Sequence, residues 1–430
     1  MLDIKLIREH PEVLIEDLRK RQDSEKMHWV EEIIGLDRKI RDFMVTEQDL
    51  RRQRNELTAR IAELKKKGED AEGVVEESRK IPDQIKSVED EKAKVGERMD
   101  WLMQRLPNIT HESVPYGVDD SGNVEVRKWG SIPEFAFKSK DHIELGEALD
   151  VIDIERGAKV SGARFYYLKG DAAMLEMALA KFTMDTLVNE EGFTPFIPPV
   201  LVRPQALFGT GFLPAGEQDI YKIEGEDLRL VGTAEVPLGS MHMDETFSME
   251  ELPKHYAGFS SCFRTEAGSH GRDTKGIFRV HQFEKVEMFK FTTPESSWSE
   301  HETLLASAEK LYQKLGLPYH VVNICTGDLG VVAAKKYDIE VWLPGQGKYR
   351  EVASCSNCTD YQARRLNIRF RRKPHEKAEY VHTLNSTAVA ISRTIVAILE
   401  NYQQEDGSVR VPEVLIPYMN GKKVMRGGRD

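Results

Sequence analysis

Two apolar stripes of seven-residue period, one after the other between residues 29 and 106, constrain this chain more than any other feature. Trp29, Ile33, Leu36, Ile40, Phe43, Leu50, Leu57, Ile61 and Leu64 recur in steps of three and four, with Glu47 and Arg54 filling two seam positions. The pattern breaks at Lys66-Lys67-Gly68-Glu69-Asp70. It resumes with Val74, Ile81, Ile85, Val88, Val95, Met99, Leu102 and Leu106, with Ser78 and Lys92 as polar seam members. Two stripes of similar length around one glycine predict an antiparallel coiled-coil hairpin over about 28–106. Its narrow seam implies an arm in solvent, because a helix lying on a globule shows a wider apolar face. Pro82 is expected to kink or interrupt the return helix. Arg51, Arg52, Arg54, Arg60, Lys65, Lys66 and Lys67 crowd the far end of the outgoing helix. Such a run is ordinarily a solvated face, but a long arm with a basic end also suits the phosphates of a helical RNA.

At 430 residues the chain is too long for one core and predicts two or three domains. Residues 1–107 read as an N-terminal domain with the arm, 108–130 as a linker rich in Pro, Gly, Asp and Asn, and 131–430 as a second domain of mixed helices and strands. The net charge of −11 excludes bulk attraction to nucleic acid, so phosphate contacts must use a local basic patch. Cys262, Cys325, Cys355 and Cys358 are too few for a disulfide scaffold. No signal peptide or membrane-length apolar run is visible, which predicts a cytoplasmic protein without a membrane partner.

Beyond residue 130, helical and strand-like segments mix without regular βαβ alternation. The expected class is therefore α+β, an antiparallel sheet flanked by helices. Asp171 is placed as the cap of a helix ending near Gly192. Helices are expected over 295–315 and from about Thr387 to Gln403, and a hairpin around residues 224–227.

Three extended segments aim polar groups one way. Residues i and i+2 of a strand share a face, which pairs Arg264 with Glu266, Phe283 with Glu287, and Thr233 with Glu235. A sheet with one merely solvated face is the plain alternative. The polar loop 267–276 lacks a P-loop signature and could cover a nucleotide or touch an RNA end. Glu351 and Ser354 could hold Mg²⁺. The Cys355/Cys358 pair lacks nearby partners for a closed site, so no zinc is expected. His270, His281 and His382 lie near the candidate site without a nucleophile–base order.

Together these segments resemble the class II aminoacyl-tRNA synthetases. Residues 192–201 resemble motif 1, Phe263-Arg264-Thr265-Glu266 with its loop motif 2, and residues 388–396 motif 3. Thr233-Ala234-Glu235, residues 281–287, residues 351–354 and the N-terminal arm make the set similar to the seryl-tRNA synthetase family. Where many relatives have Asn-Gly-Ser or Asn-Gly-Thr, this chain has Asn385-Ser386-Thr387, and alanines replace motif 3 glycines. The resemblance implies two steps: ATP and L-serine give seryl-adenylate, and serine then passes to the 3′ end of serine tRNA, with selenocysteine tRNA a second candidate acceptor.

The resemblance also implies roles. Arg264 bridges the serine carboxylate and the α-phosphate, and Arg393 stacks on adenine and reaches the γ-phosphate. Glu266, Phe283 and the Val280 backbone hold adenine, and Thr265, Val352 and Ala353 join the ATP site. Glu351 and Ser354 ligate Mg²⁺. Thr233 and Glu235 hold the serine ammonium; Glu287 and Thr387 hold its side chain, with Asn385 in support. Lys285 faces the same way without an assigned role. A homodimer with motif 1 in its interface and tRNA binding through the arm are also implied. An amino acid:carrier-protein ligase and a non-catalytic synthetase-like scaffold are the alternatives.

Overall fold

The structure is a computed structural model that describes residues 1–267, 273 and 275–427. The expectations for His270 and most of the 267–276 loop lie outside the described residues. The chain forms two compact units, Met1–Pro107 and Asn108–Asp430.

In the first unit, α1 (Ile4–Glu9) and α2 (Pro11–Lys20) precede α3 (Ser24–Lys67) and α4 (Glu72–Met103). The Asp23 carboxylate accepts from the Lys26 N–H and starts α3. Gly68 ends it at φ +72°, the left-handed region that a glycine enters without strain. At 44 residues, α3 is about 65 Å long. Arg51 pairs with Glu89, Lys92 with Glu47 and Arg98 with Glu32, so the two helices run antiparallel. Pro82 does not interrupt the return helix: α4 continues through it. Buried Ile81 and Ile85 flank the ring, so packing is retained where one main-chain bond is lost.

The second unit is built on eight strands: β1 (Val124–Trp129), β2 (Thr194–Phe196), β3 (Lys254–Phe263), β4 (Gln282–Thr292), β5 (Tyr319–Asn323), β6 (Lys335–Leu343), β7 (Lys348–Asn357) and β8 (His382–Ala390). Their order is β1-β5-β6-β7-β8-β4-β3-β2. Every neighbouring pair is antiparallel except β2 with β3. One face is covered by α6 (Asp171–Asn189), α8 (Ser297–Lys314) and α9 (Ile391–Asn401), numbered after α5 (His142–Ala148). Leu175, Leu179 and Phe182 of α6, Leu304, Leu305, Ala308 and Leu311 of α8, and Ile391, Ile395 and Ile398 of α9 pack there against Val286, Met288, Ile339, Val352 and Leu384.

Several expectations change. Residues 108–130 are not a linker. Asn108 donates to the carbonyls of Val332 and Cys358, and β1 is an edge strand of the main sheet. Asp171 is the first helical residue rather than the cap, and it pairs with Lys422. The last predicted helix begins only at Ile391, because residues 387–390 complete β8. Residues 231–235 are no strand: Thr233 Oγ1 accepts from the Glu235 N–H, and Glu235 opens α7 (Glu235–Ser240). Strand β3 stops at Phe263, and Glu266 sits at φ +52°, so Arg264 and Glu266 do not share a face by strand alternation.

Candidate active site

The sheet face opposite the helices forms the floor of a cleft. Along β4, Phe283, Lys285 and Glu287 point into it, while Val286 and Met288 point into the helix-side core. Two bulges adjust the neighbouring strands. On β7 the register slips at Val352, so Glu351 and Ser354, three apart, both reach the cleft. On β8 it slips at Ala388, so Asn385, Thr387 and Ala390 do the same. The turn before α7 adds Thr233 and Glu235, the segment after β3 adds Arg264 and Glu266, and α9 adds Arg393. Val280 and Val352 complete the predicted residues that the fold brings together.

Two predicted residues lie outside the cleft. The Thr265 hydroxyl donates to the Gln218 carbonyl, and Ala353 packs in the helix-side core. His281 stands behind Arg264: its Nδ1 lies 2.9 Å from the Arg264 carbonyl, and its own carbonyl accepts from the Arg264 N–H. His382 is spent on Ser297 Oγ. All four cysteines are free and buried. Phe212, Phe278, Arg279 and Ser392 also line the cleft, and sequence reasoning gave none of them a role. The run Phe278-Arg279-Val280 carried a usable signal, an aromatic and a cation just ahead of β4. Phe212 carried none, since only tertiary folding brings it near.

Charge is arranged in two groups. Arg264 donates from Nε to the Gly232 carbonyl at 3.2 Å and lies 5.4 Å from the Phe283 ring. Lys285 Nζ pairs with Glu287 Oε2 at 2.5 Å, and Thr387 Oγ1 donates to the same oxygen at 3.4 Å. Glu235 Oε1 accepts from Gln362 at 2.8 Å and Asn385 at 3.1 Å. At the other end, Arg393 NH1 donates to the Glu351 carbonyl at 2.9 Å, its Nε to the Phe278 carbonyl at 3.3 Å, and its guanidinium stacks 4.9 Å from the Phe278 ring. Glu266 accepts from Arg279 at 2.6 Å. Burial pushes Glu351 up, but the charges of Arg393, Lys336 and Arg264 outweigh it and hold the carboxyl below its usual range. An ionised carboxylate beside a hydroxyl is an oxygen donor set that fits Mg²⁺.

Glu235 is the opposite case. Burial, then the charge of Glu287, pushes its carboxyl up to about 7 from the ordinary 4.5, against Gln362, Lys285 and Arg264. The folded state thus favours the protonated form. The stability this confers is present in full below the unfolded value and lost as pH rises through 7. Thermal melting of the ligand-free protein is therefore expected to weaken between pH 5 and 8, and Glu235→Gln to flatten part of that slope, by up to about 3 kcal/mol. Glu176 and Asp338 are also raised to about 7, so the difference between variant and parent is the informative quantity. Identical slopes would exclude Glu235 as the titrating group.

A mostly antiparallel sheet whose floor carries this set of arginines and carboxylates, backed by the helix that bears Arg393, defines a class II aminoacyl-tRNA synthetase core. The family description "tRNA synthetase class II core domain (G, H, P, S and T)" matches residues 220–402, and "Seryl-tRNA synthetase N-terminal domain" matches residues 1–110. The chain belongs to the seryl-tRNA synthetase family. A serine–tRNA ligase of Methanocella arvoryzae is 53% identical over 422 residues, covering 98% of this chain and 99% of that protein. The crystal structure of seryl-tRNA synthetase from Pyrococcus horikoshii complexed with ATP is 50% identical, with TM-score 0.95 over 100% of both chains. A cytoplasmic serine–tRNA ligase of Naegleria fowleri in complex with AMP is 34% identical, with TM-score 0.90 over 100% of this chain and 99% of the other.

Proposed function

We propose that this chain activates L-serine with ATP, forming seryl-adenylate and pyrophosphate, and then transfers serine to the 3′ end of serine tRNA. The observation that carries this reading is a cleft in which Arg264, lying against Phe283 and close enough for its charge to act on both Glu235 and Glu351, joins a polar cluster around Glu235, Glu287 and Thr387 and an aromatic and cationic cluster around Phe283, Phe278 and Arg393. Each cluster suits one reactant. A small hydroxy amino acid needs carboxylates for its ammonium and a buried acceptor for its hydroxyl. A nucleotide needs a ring to stack on and cations for its phosphates.

The attacking serine carboxylate is ionised at neutral pH, so the first step needs no protein base. The residues act by alignment and by neutralising charge that develops at the α-phosphorus. In this reading the fork of Arg264 bridges the carboxylate and the α-phosphate, geometry that lysine cannot supply. Glu235 and Thr233 take the ammonium. Glu287 and Thr387, supported by Asn385, take the side-chain hydroxyl, and an alanine substrate would supply no hydrogen bond to them. Lys285 holds the Glu287 carboxylate in place. Phe283 and Glu266 take adenine, with the Val280 backbone. Glu351 and Ser354 would hold Mg²⁺, which supplies positive charge against the phosphates. Arg393 leaves Phe278 for the nucleotide.

The wider reading includes tRNA binding through the arm, selenocysteine tRNA as a second acceptor, a homodimer and a cytoplasmic location. Among the described residues, no helix is long and apolar enough to cross a membrane. A carrier-protein ligase is less well supported, because residues 1–110 match the N-terminal domain of the tRNA-charging family. The test is charging of serine tRNA, with and without its long variable arm, by the purified protein. Serine-independent ATP–pyrophosphate exchange, or no transfer to either tRNA, would overturn the reading.

A further inference from the structure

Glu400 and His142 are both buried, at 0% and 4% exposure, and neither lines the cleft. Glu400 lies on α9 seven residues after Arg393, which is two turns along the same helix face. Its Oε1 accepts from the His142 N–H and from His142 Nδ1, both at 3.2 Å, and its Oε2 accepts from the Gly345 N–H at 2.9 Å. The far side of the imidazole, Nε2, receives the Ile277 N–H at 3.3 Å. An amide N–H can only donate, so Nε2 is the bare nitrogen and the ring proton sits on Nδ1 towards Glu400. The approach is close: a Cβ added at Gly276, where φ is +74°, would stand 2.0 Å from Nε2.

Backbone groups of two consecutive residues are thus held from one helix. Arg393 holds the Phe278 carbonyl directly, and Glu400 holds the Ile277 N–H through His142. The strip that follows, Phe278-Arg279-Val280, forms the nucleotide end of the cleft. If Arg393 leaves Phe278 for a phosphate, as the functional reading requires, its hold on the strip is lost while the His142 anchor stays.

We propose that His142, fixed by Glu400, is a positioning residue for ATP: it keeps residues 277–280 in their nucleotide-binding place while Arg393 moves. The inference rests on the ATP–serine reading above. The experiment varies ATP and serine separately in serine-dependent ATP–pyrophosphate exchange, using the full chain and two substitutions of similar size. An asparagine amide reaches the Nδ1 position, so His142→Asn keeps the Glu400 link and loses Ile277. A glutamine reaches the Nε2 position, so His142→Gln keeps the acceptor for Ile277. The expected result is an ATP KM raised about 10-fold in His142→Asn, a serine KM within about twofold of the parent, and an ATP KM within about threefold in His142→Gln. Melting temperatures recorded alongside separate this from plain destabilisation, which moves both KM values together. An unchanged ATP KM, a joint rise of both KM values, or equal defects in the two variants would overturn the proposal. Should the asparagine variant fail to fold, a glutamine variant with a tenfold-raised ATP KM would overturn it alone. Failure of the parent protein to exchange at all would instead count against the functional reading.

Discussion

Arg264→Ala is expected to lower serine-dependent ATP–pyrophosphate exchange by a factor on the order of 10³ while leaving the melting temperature close to that of the parent. The size follows from geometry. The first step brings two anions together, and among the described cleft residues Arg264 is a cation in no ion pair with a carboxylate, whereas Arg279 is paired with Glu266. Lys285 is neutralised by Glu287, and Arg393 is at the far end. In the proposed role, a guanidinium held beside both reactants needs no reorganisation during the reaction, so its loss is felt in the transition state more than in the ground state. The small structural effect follows from the contacts: among the described residues Arg264 anchors its side chain through one hydrogen bond, to the Gly232 carbonyl, and its main chain is held independently by His281. Arg264→Lys should recover little, since a point charge cannot bridge carboxylate and phosphate in a plane. Near-normal exchange in the alanine variant would remove Arg264 from the mechanism.

The cleft was legible in the sequence wherever strand alternation holds. Phe283 and Glu287 were placed on one face, and the uninterrupted β4 keeps them there. It was not legible where alternation breaks. Glu351 and Ser354 have opposite parity in a regular strand, and only the slip at Val352 turns both towards the cleft. That slip leaves no trace in residue type, because Val352 and Ala353 are ordinary strand residues, and Ala353 went to the core side for the same reason. Thr233 and Glu235 reached the site by a different route, a turn into a six-residue helix too short to show a 3.6 period. The arm was the most legible part of the chain, since a seven-residue repeat sustained over several turns has few competing explanations. Strand β1 was the least legible. All six of its residues are exposed, so the burial that would have patterned its sequence is missing, and its Pro- and Gly-rich approach reads as a linker.

Replacing residues 52–88 of the arm by a short glycine linker is expected to leave serine-dependent ATP–pyrophosphate exchange within about twofold of the parent and to cut kcat/KM for charging serine tRNA by ~100-fold or more. The cut retains Trp29 against Trp101, Glu32 with Arg98, and Glu47 with Lys92, so the base of the hairpin keeps its packing. It removes Arg52, Arg54, Arg60, Lys65, Lys66 and Lys67. Arg54, Arg60, Lys65 and Lys66 form no ion pair among the described residues, which leaves them available to phosphates. Such contacts matter more here than in a basic protein. At a net charge of −11 the rest of the chain repels a polyanion, so affinity must come from a local patch. Salt provides the sharper readout. Each phosphate contact releases counterions, so the KM for tRNA in the full chain should climb steeply with ionic strength, and the truncated chain should show a visibly shallower slope. The cleft proposed for adenylation is lined by residues of the compact unit Asn108–Asp430 alone, and this is why the two activities should separate. Charging at parental efficiency with an unchanged salt slope would show that RNA is recognised elsewhere, and loss of exchange together with charging would show that the arm supports the catalytic unit rather than the tRNA.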